Sequence, residues 1–198
     1  NTPAVRPRAA MIGFMVEPGQ NVWRNRLSMG SLGSCADVIL IPEIPYDINK
    51  VVETIEDRKK KGRTFSIVAV AEGAISKDDK ILSEEERRRK KEANPYSTIS
   101  YDIAAQLEAL TGQEARVTVP GHYQRGGPAC PYDRVLATRF GTAAARLIME
   151  QKYGYMVGVQ GNEIVHVPLE EAASKTKFLP VDHPLIQTAR DAGSTFGD

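Results

Sequence analysis

Cysteine is scarce in this chain of 198 residues, with Cys35 and Cys130 alone. Two thiols so far apart define neither a disulfide framework nor a zinc site, so a reducing, cytoplasmic compartment is expected. An excess of one charge is also lacking: 26 basic against 25 acidic residues leave a net charge of +1. A dedicated nucleic-acid or membrane-surface binder would need a basic surplus to neutralise phosphates, so neither partner is expected. No apolar run reaches the roughly 18 residues of a membrane-spanning helix. The sequence starts at Asn1 without an initiator methionine or the apolar core of a signal peptide, which leads us to expect a trimmed chain or a piece of a longer one. What is present is an ordinary globular composition, 41% hydrophobic and 26% charged, enough for one domain or two small ones.

Short apolar runs alternate with helix-period segments, the pattern of an α/β domain with a mostly parallel sheet. Asp37 to Ile41 (DVILI) predicts a buried strand stopped by Pro42. Asp47 then caps a helix whose apolar positions Ile48, Val51, Val52 and Ile55 share one face, ending in Lys59, Lys60, Lys61 and a Gly62 stop. Thr64 to Val70 (TFSIVAV) is nearly continuous in apolar character, as expected of a strand covered on both faces. Strand, helix and strand make one right-handed crossover. A second helix is predicted over Thr98 to Leu110, up to Gly112, followed by a short strand over Arg116 to Val119.

Ser83 to Glu92 (SEEERRRKKE) breaks the pattern with nine consecutive charges. Glu and Arg spaced by three and four predict a solvated helix surface. A nucleic-acid patch is set aside, because no aromatic residues are interleaved and acids offset the bases.

The densest chemistry is the turn Gly121-His122-Tyr123-Gln124-Arg125-Gly126-Gly127-Pro128, between a strand and a helix predicted over Asp133 to Lys152. Val135, Leu136, Phe140, Ala144, Leu147 and Ile148 mark that helix's expected buried face. Polar groups on loops at the carboxyl ends of parallel strands surround ligands in open α/β sheets. His122 and Arg125, with Arg116 six residues ahead of the histidine, suit a phosphate or carboxylate, since arginine forks and an imidazole can surround an anion with charge-assisted bonds. The other reading is a structural turn, with His122 bonded to backbone and Arg125 paired with a carboxylate. Tyr155 to Val159 and Glu163 to Val167 predict a hairpin around Gly161-Asn162. His166 is expected to face solvent from a strand, and His183, before a proline, to serve local structure at a helix start. The lone Trp23 lies in a stretch without an assignable pattern.

Three segments in register carry a resemblance: Ile39-Leu40-Ile41-Pro42-Glu43-Ile44-Pro45, Ala69-Val70-Ala71-Glu72-Gly73-Ala74, and the Gly121 to Gly127 turn with Tyr132-Asp133-Arg134. Together they resemble the carboxyl-terminal half of the 6-phosphofructokinases over residues 36–198. The resemblance implies a partial chain with a three-layer, Rossmann-like, mostly parallel α/β sheet and flanking helices. It implies that residues 36–198 are the sugar-phosphate-binding part and residues 1–35 a diverged segment. Glu72 is then expected to hold the hydroxyls of fructose 6-phosphate, and His122 and Arg125 its phosphate. Arg116 is expected to reach the phosphate bound by a neighbouring subunit of a homo-oligomer, dimer or tetramer. Asp37, Lys61 and Arg63 match the family's effector-binding positions.

The reaction implied is phosphoryl transfer from ATP or pyrophosphate, with Mg2+, to the sugar's 1-hydroxyl, in glycolysis. The family's donor loop and catalytic aspartate have no counterpart here, since neither Gly-Gly-Asp-Gly nor Thr-Ile-Asp occurs in the sequence. This chain alone is therefore expected to lack a catalytic residue, to bind neither metal nor cofactor, and to be inactive. Where the family carries Met-Gly-Arg, this sequence has Gly19, Gln20 and Asn21. Losing an arginine contact to a buried phosphate costs about 2–5 kcal/mol, which leads to an expectation of weak substrate binding. The alternative is a non-catalytic module that binds a sugar phosphate or nucleotide.

Overall fold

The computed structural model describes residues 9–14 (backbone only), 35–96, 98–121, 126–173 and 179–198. The chain divides into two compact units, one of Asn1–Gln124 with Phe178–Asp198 and the other of Arg125–Lys177.

The larger unit holds four parallel strands: β1 (Ala9–Phe14), β2 (Val38–Leu40), β3 (Ile67–Ala71) and β4 (Ala115–Thr118), in the order β2-β3-β1-β4. Its helices are α1 (Ile48–Lys60), α2 (Lys77–Ile81), α3 (Glu84–Ala93), α4 (Ile99–Thr111) and α7 (Pro184–Asp191). The parallel α/β class expected from the alternation is thus the observed one. β1 occupies a stretch the sequence reading left without assignment, yet it sits between β3 and β4, pairing Ile12 with Ala69 and Thr118.

Central strands covered on both faces must be apolar throughout, and Val68, Ala69 and Val70 are accordingly buried. The core joins β2 and β3 to Val51 and Ile55 of α1, Ile103 and Leu107 of α4, and Ile186 and Ala189 of α7. β3 begins three residues later than the apolar run predicts. Phe65 is 52% exposed and Ser66 turns inward to accept a hydrogen bond from Arg58 Nε at 3.1 Å, so the ladder starts beyond them.

Asp47 caps α1 as expected, accepting from Asn49 N–H at 2.9 Å. At the other end Gly62 takes φ of +80°, and Arg63 N–H closes back on Arg58 O at 3.0 Å, the left-handed stop that glycine permits. The last residues add an edge to the sheet: Ile39 N–H donates to Thr195 O at 2.8 Å, Thr195 N–H to Asp37 O at 3.0 Å, and Phe196 is fully buried.

The smaller unit holds α5 (Pro131–Met149), the antiparallel hairpin β5 (Tyr155–Gln160) and β6 (Glu163–Pro168), and α6 (Leu169–Ala173). The hairpin turns at Gly161-Asn162, as predicted. α5 starts at Pro131, whose fixed φ suits the first helical position, two residues ahead of the expected start, and ends three residues early at Met149. Its expected buried face is corrected in part. Leu147 is buried, but Val135 and Ile148 are exposed, because the hairpin, to which Arg139 donates through Asn162 O, covers only part of the helix.

Candidate functional site

The site begins where β3 leaves the sheet. A doubly covered strand has no room for charge, so the first position able to carry a carboxylate is the one after Ala71, and it is Glu72. A tight turn follows, with Ala74 N–H bonded to Ala71 O at 3.0 Å. Glu72 lines a cavity of about 310 Å3 together with Thr98, Arg87, Lys91, Asn94 and Asp102.

Two polar atoms of this lining are buried without a hydrogen-bond partner: Glu72 Oε2 and Thr98 Oγ1. An unsatisfied buried polar group costs about 1–3 kcal/mol, so both are unusual in a stable fold. Thr98 is also the N-cap of α4, a position at which threonine ordinarily accepts from the first turn's amides, and here its side chain makes no such bond.

α3 and the start of α4 form the wall of the cavity. Ser83 opens α3 with a reciprocal capping box, its Oγ accepting from Glu86 N–H at 3.3 Å while Glu86 Oε2 accepts from Ser83 N–H at 2.9 Å. The Ser83 hydroxyl, which also donates to Glu86 Oε2 at 2.7 Å, and then the Ser83 N–H hold the Glu86 carboxyl below the usual carboxylate range. Further along, Arg89 pairs with Glu85 at 2.9 Å and Arg88 with Glu92 at 3.6 Å, the exposed pairs expected of a solvated helix. Lys90 pairs with Asp79, which leaves Arg87 and Lys91 as the cations of α3 with no acidic partner among the described residues. Both line the cavity. The floor is stiffened by Asp102, which accepts from Asn94 Nδ2 and Gln106 Nε2, each at 3.0 Å. An adjoining cavity of about 620 Å3 shares Asp79, Lys90, Asn94 and Asp102 and reaches Tyr46. Burial first, then the carboxylates of Asp102 and Asp79, push the Tyr46 hydroxyl's pKa above its ordinary value.

The other residues singled out from the sequence fall as follows. Arg116 stands exposed on β4, paired with Glu114 at 2.9 Å, and does not line the Glu72 cavity. His122 and Arg125 lie outside the described residues, as do Gly19, Gln20, Asn21 and Trp23. Asp37 is engaged inside the fold, with Oδ1 on Arg58 at 2.9 Å and Oδ2 accepting from Ile67 N–H at 2.8 Å. Lys61 and Arg63 are exposed just beyond α1. His183 is structural as expected, its Nδ1 accepting from Leu185 N–H at 3.2 Å, and His166 is exposed on β6. No three or more His, Cys, Asp or Glu side chains are grouped to hold a metal ion among the described residues. No helix among them is long and apolar enough to cross a membrane.

The sequence reading reached Glu72 and missed Thr98, Arg87 and Lys91. Spacing gave no sufficient signal for the two cations: Arg87 has Glu84 three residues before it and stays unpaired among the described residues, while Lys90 has Glu86 four before it and pairs with Asp79 instead.

A parallel α/β sheet with a carboxylate at a strand's end, beside a cleft lined by basic and acidic side chains, is the arrangement of a domain that takes small polar ligands. The comparisons make the class specific. The phosphofructokinase family model matches residues 27–148, and the chain belongs to the phosphofructokinase family. An ATP-dependent 6-phosphofructokinase of Spirochaeta thermophila is 51% identical over 162 residues, which cover 82% of this chain and 44% of that protein. ATP-dependent 6-phosphofructokinase 1 of Nostoc sp. is 38% identical over 197 residues, covering 100% of this chain and 53% of that protein. The chain thus spans about half the length of these curated relatives. Among solved structures, Pichia pastoris phosphofructokinase in the T-state matches with a TM-score of 0.59 at 27% identity, over 96% of this chain and 19% of that one. The pyrophosphate-dependent phosphofructokinase of Nitrosospira multiformis shares the fold, with a TM-score of 0.63 at 20% identity over 89% of this chain and 43% of that one.

Proposed function

We propose that this chain is the acceptor-binding half of a glycolytic, cytoplasmic 6-phosphofructokinase that transfers a phosphoryl group from ATP to the 1-hydroxyl of fructose 6-phosphate. The observation that carries the reading is Glu72: a carboxylate at the carboxyl end of β3, lining a cavity, with one buried oxygen that no protein group satisfies. A sugar offers hydroxyl donors that such an acceptor lacks. His122 and Arg125 hold the 6-phosphate by charge-assisted bonds, and Arg116 reaches the phosphate bound by a second subunit of a homo-oligomer. Residues 36–198 supply this acceptor side and residues 1–35 a diverged segment.

In the reaction the bond from the donor's terminal phosphorus to its bridging oxygen breaks and releases ADP, a bond to the sugar's 1-oxygen forms, and the 1-hydroxyl's proton passes to a base that the donor half would supply. This chain's part is to place the sugar, so that attack becomes effectively intramolecular. Mg2+ would accompany the donor, and the described residues offer it no cluster of ligands. ATP as donor is supported by relatives named ATP-dependent at 38–51% identity, where the neighbour named pyrophosphate-dependent is 20% identical. Asp37, Lys61 and Arg63 are proposed as effector contacts. Arg58, which already binds Asp37, would share that carboxylate with an effector.

Calorimetric titration of the 198-residue chain with fructose 6-phosphate, beside glucose 6-phosphate and inorganic phosphate, tests the acceptor site. Selective binding of fructose 6-phosphate that disappears in the His122→Ala, Arg125→Ala double variant is expected. Absence of selectivity, or unchanged affinity in that variant, would overturn the assignment. A second reading is a module that binds the sugar phosphate without catalysis. Turnover by this chain alone in a coupled kinase assay would exclude it.

A further inference from the structure

Of the five basic residues of α3, the three paired with acids are Arg88, Arg89 and Lys90. The two left unpaired among the described residues, Arg87 and Lys91, stand four apart on one helix face. Both line the cavity that is also lined by Glu72 and Thr98, the residues whose Oε2 and Oγ1 are buried without a partner. A random surface helix would have no reason to leave its uncompensated cations beside two unsatisfied buried acceptors. Carboxylate and hydroxyl oxygens accept from ligand hydroxyls, and unpaired guanidinium and ammonium groups attract an anion. One small molecule carrying both hydroxyls and an anionic group satisfies all four.

We propose that α3 and the N-cap of α4 form a ligand-binding element: Thr98 takes a hydroxyl beside the one held by Glu72, and Arg87 and Lys91 attract the anionic ligand into the cavity, adding to the phosphate contacts proposed above. For the sugar this rests on the acceptor reading above, and it deepens that reading by adding three residues which neither the motifs nor the resemblance marks. Both orphaned atoms are closed to water, so a ligand reaches them only when each side chain turns its oxygen toward the cavity, a change of rotamer for Thr98 and of the outer torsions for Glu72. Each residue itself lines the cavity. Arg87 is the only partly buried basic residue of α3, so its guanidinium is already partly withdrawn from solvent, where a phosphate contact is screened least.

The test compares two charge-matched double variants of the 198-residue chain, Arg87→Gln with Lys91→Gln against Arg88→Gln with Arg89→Gln, and a third variant, Thr98→Val. Titrations use fructose 6-phosphate and, separately, inorganic phosphate, with circular dichroism confirming that each variant is folded. The expected result is a loss of about tenfold or more in fructose 6-phosphate affinity for the first pair, and less than about twofold for the second. Thr98→Val should weaken fructose 6-phosphate several-fold and leave inorganic phosphate unchanged. Equal effects of the two pairs would mean a general charge effect and overturn the proposal, as would no effect of either. If the wild-type chain fails to bind fructose 6-phosphate, the acceptor reading falls, and inorganic phosphate decides the anion site by itself. Phosphate binding lost only with Arg87 and Lys91 keeps that site, and phosphate binding absent or insensitive to them removes it.

Discussion

Replacing Glu72 by methionine should stabilise the protein while destroying its ligand site. The side chain is partly buried, and its Oε2 is closed to water and unpartnered. Removing an unsatisfied buried acceptor recovers about 1–3 kcal/mol, and the partial exposure of the residue argues for about 1 kcal/mol. Methionine is of similar length and unbranched, so it fills the same space with little strain. In a chain of this length 1 kcal/mol moves the melting temperature by about 2–4 °C, upward for Glu72→Met. With fructose 6-phosphate at about a hundred times its Kd, the wild type gains about 2.7 kcal/mol, or roughly 5–11 °C, and the variant gains nothing. The order of stability therefore inverts between melts without and with the sugar phosphate. Thermal circular dichroism with and without fructose 6-phosphate reads both effects. A variant that melts lower than wild type, or that keeps the ligand-induced rise, would refute the reasoning.

Two further predictions concern the C-terminal segment that edges the sheet. Gly197 has φ of +73°, and a Cβ there would stand 3.1 Å from Tyr46 Cβ and from Val51 Cγ2. Gly197→Ala combines the left-handed penalty with overpacking, so urea denaturation should show a loss of about 2–4 kcal/mol. Arg190 binds Asp198 through Nη1 and Nη2 at 3.0 and 2.5 Å, and the first of the causes holding the Asp198 carboxyl below its usual range is that hydrogen bonding. A depressed carboxyl contributes stability above its unfolded pKa of about 3.9 and loses it as the pH falls through the folded value. Because the pair is more than a third exposed, Asp198→Asn should cost only about 0.5 kcal/mol at pH 7. The difference from wild type should vanish in strong acid and shrink in high salt. A constant offset across pH would show that the asparagine acts through packing instead.

The parts of this fold legible in the sequence are those where local and global preferences agree. α1 carries its apolar stripe, its aspartate cap and its glycine stop within residues 47–62, and it forms as read. The hairpin likewise declares itself through Gly161-Asn162 between alternating runs. β1 was not legible, since its partners β3 and β4 are remote in sequence and nothing local to Ala9–Phe14 names them. The edge made by Thr195 is of the same kind, its partner Val38 being more than 150 residues away. In the site, Glu72 was reached through the family resemblance, on Ala69-Val70-Ala71-Glu72-Gly73-Ala74, and not from the pattern of apolar residues. Thr98 was hidden because a threonine before a helix is what an ordinary cap looks like. Only its missing cap bond distinguishes it, and that is a fact of three-dimensional structure.

The same contrast explains why the cleft lies where it does. β3 cannot carry a polar group until it leaves the sheet, so chemistry is confined to its end, and the chain must then supply a wall. It does so with α3, a helix with no buried residue, held by a capping box at one end and by the Lys90 pairing with Asp79 near the other. A helix of ten residues is marginal alone in water, and neither its pairs nor its cap would justify five basic side chains in a row on stability grounds. Three of the five are neutralised by acids: Arg88 by Glu92, Arg89 by Glu85 and Lys90 by Asp79. Glu86, four residues before Lys90, is already committed to Ser83, which is why Lys90 turns to Asp79 instead. These pairings therefore leave Arg87 and Lys91 uncompensated in the lining of a cavity where Lys90 and Asp79 stand as a pair. With two buried acceptors unsatisfied at about 1 kcal/mol or more each, the fold forgoes a visible part of a margin that is only about 5–15 kcal/mol in most domains. Such local costs are retained where a ligand offsets them, and here the unsatisfied acceptors and the uncompensated cations line one cavity.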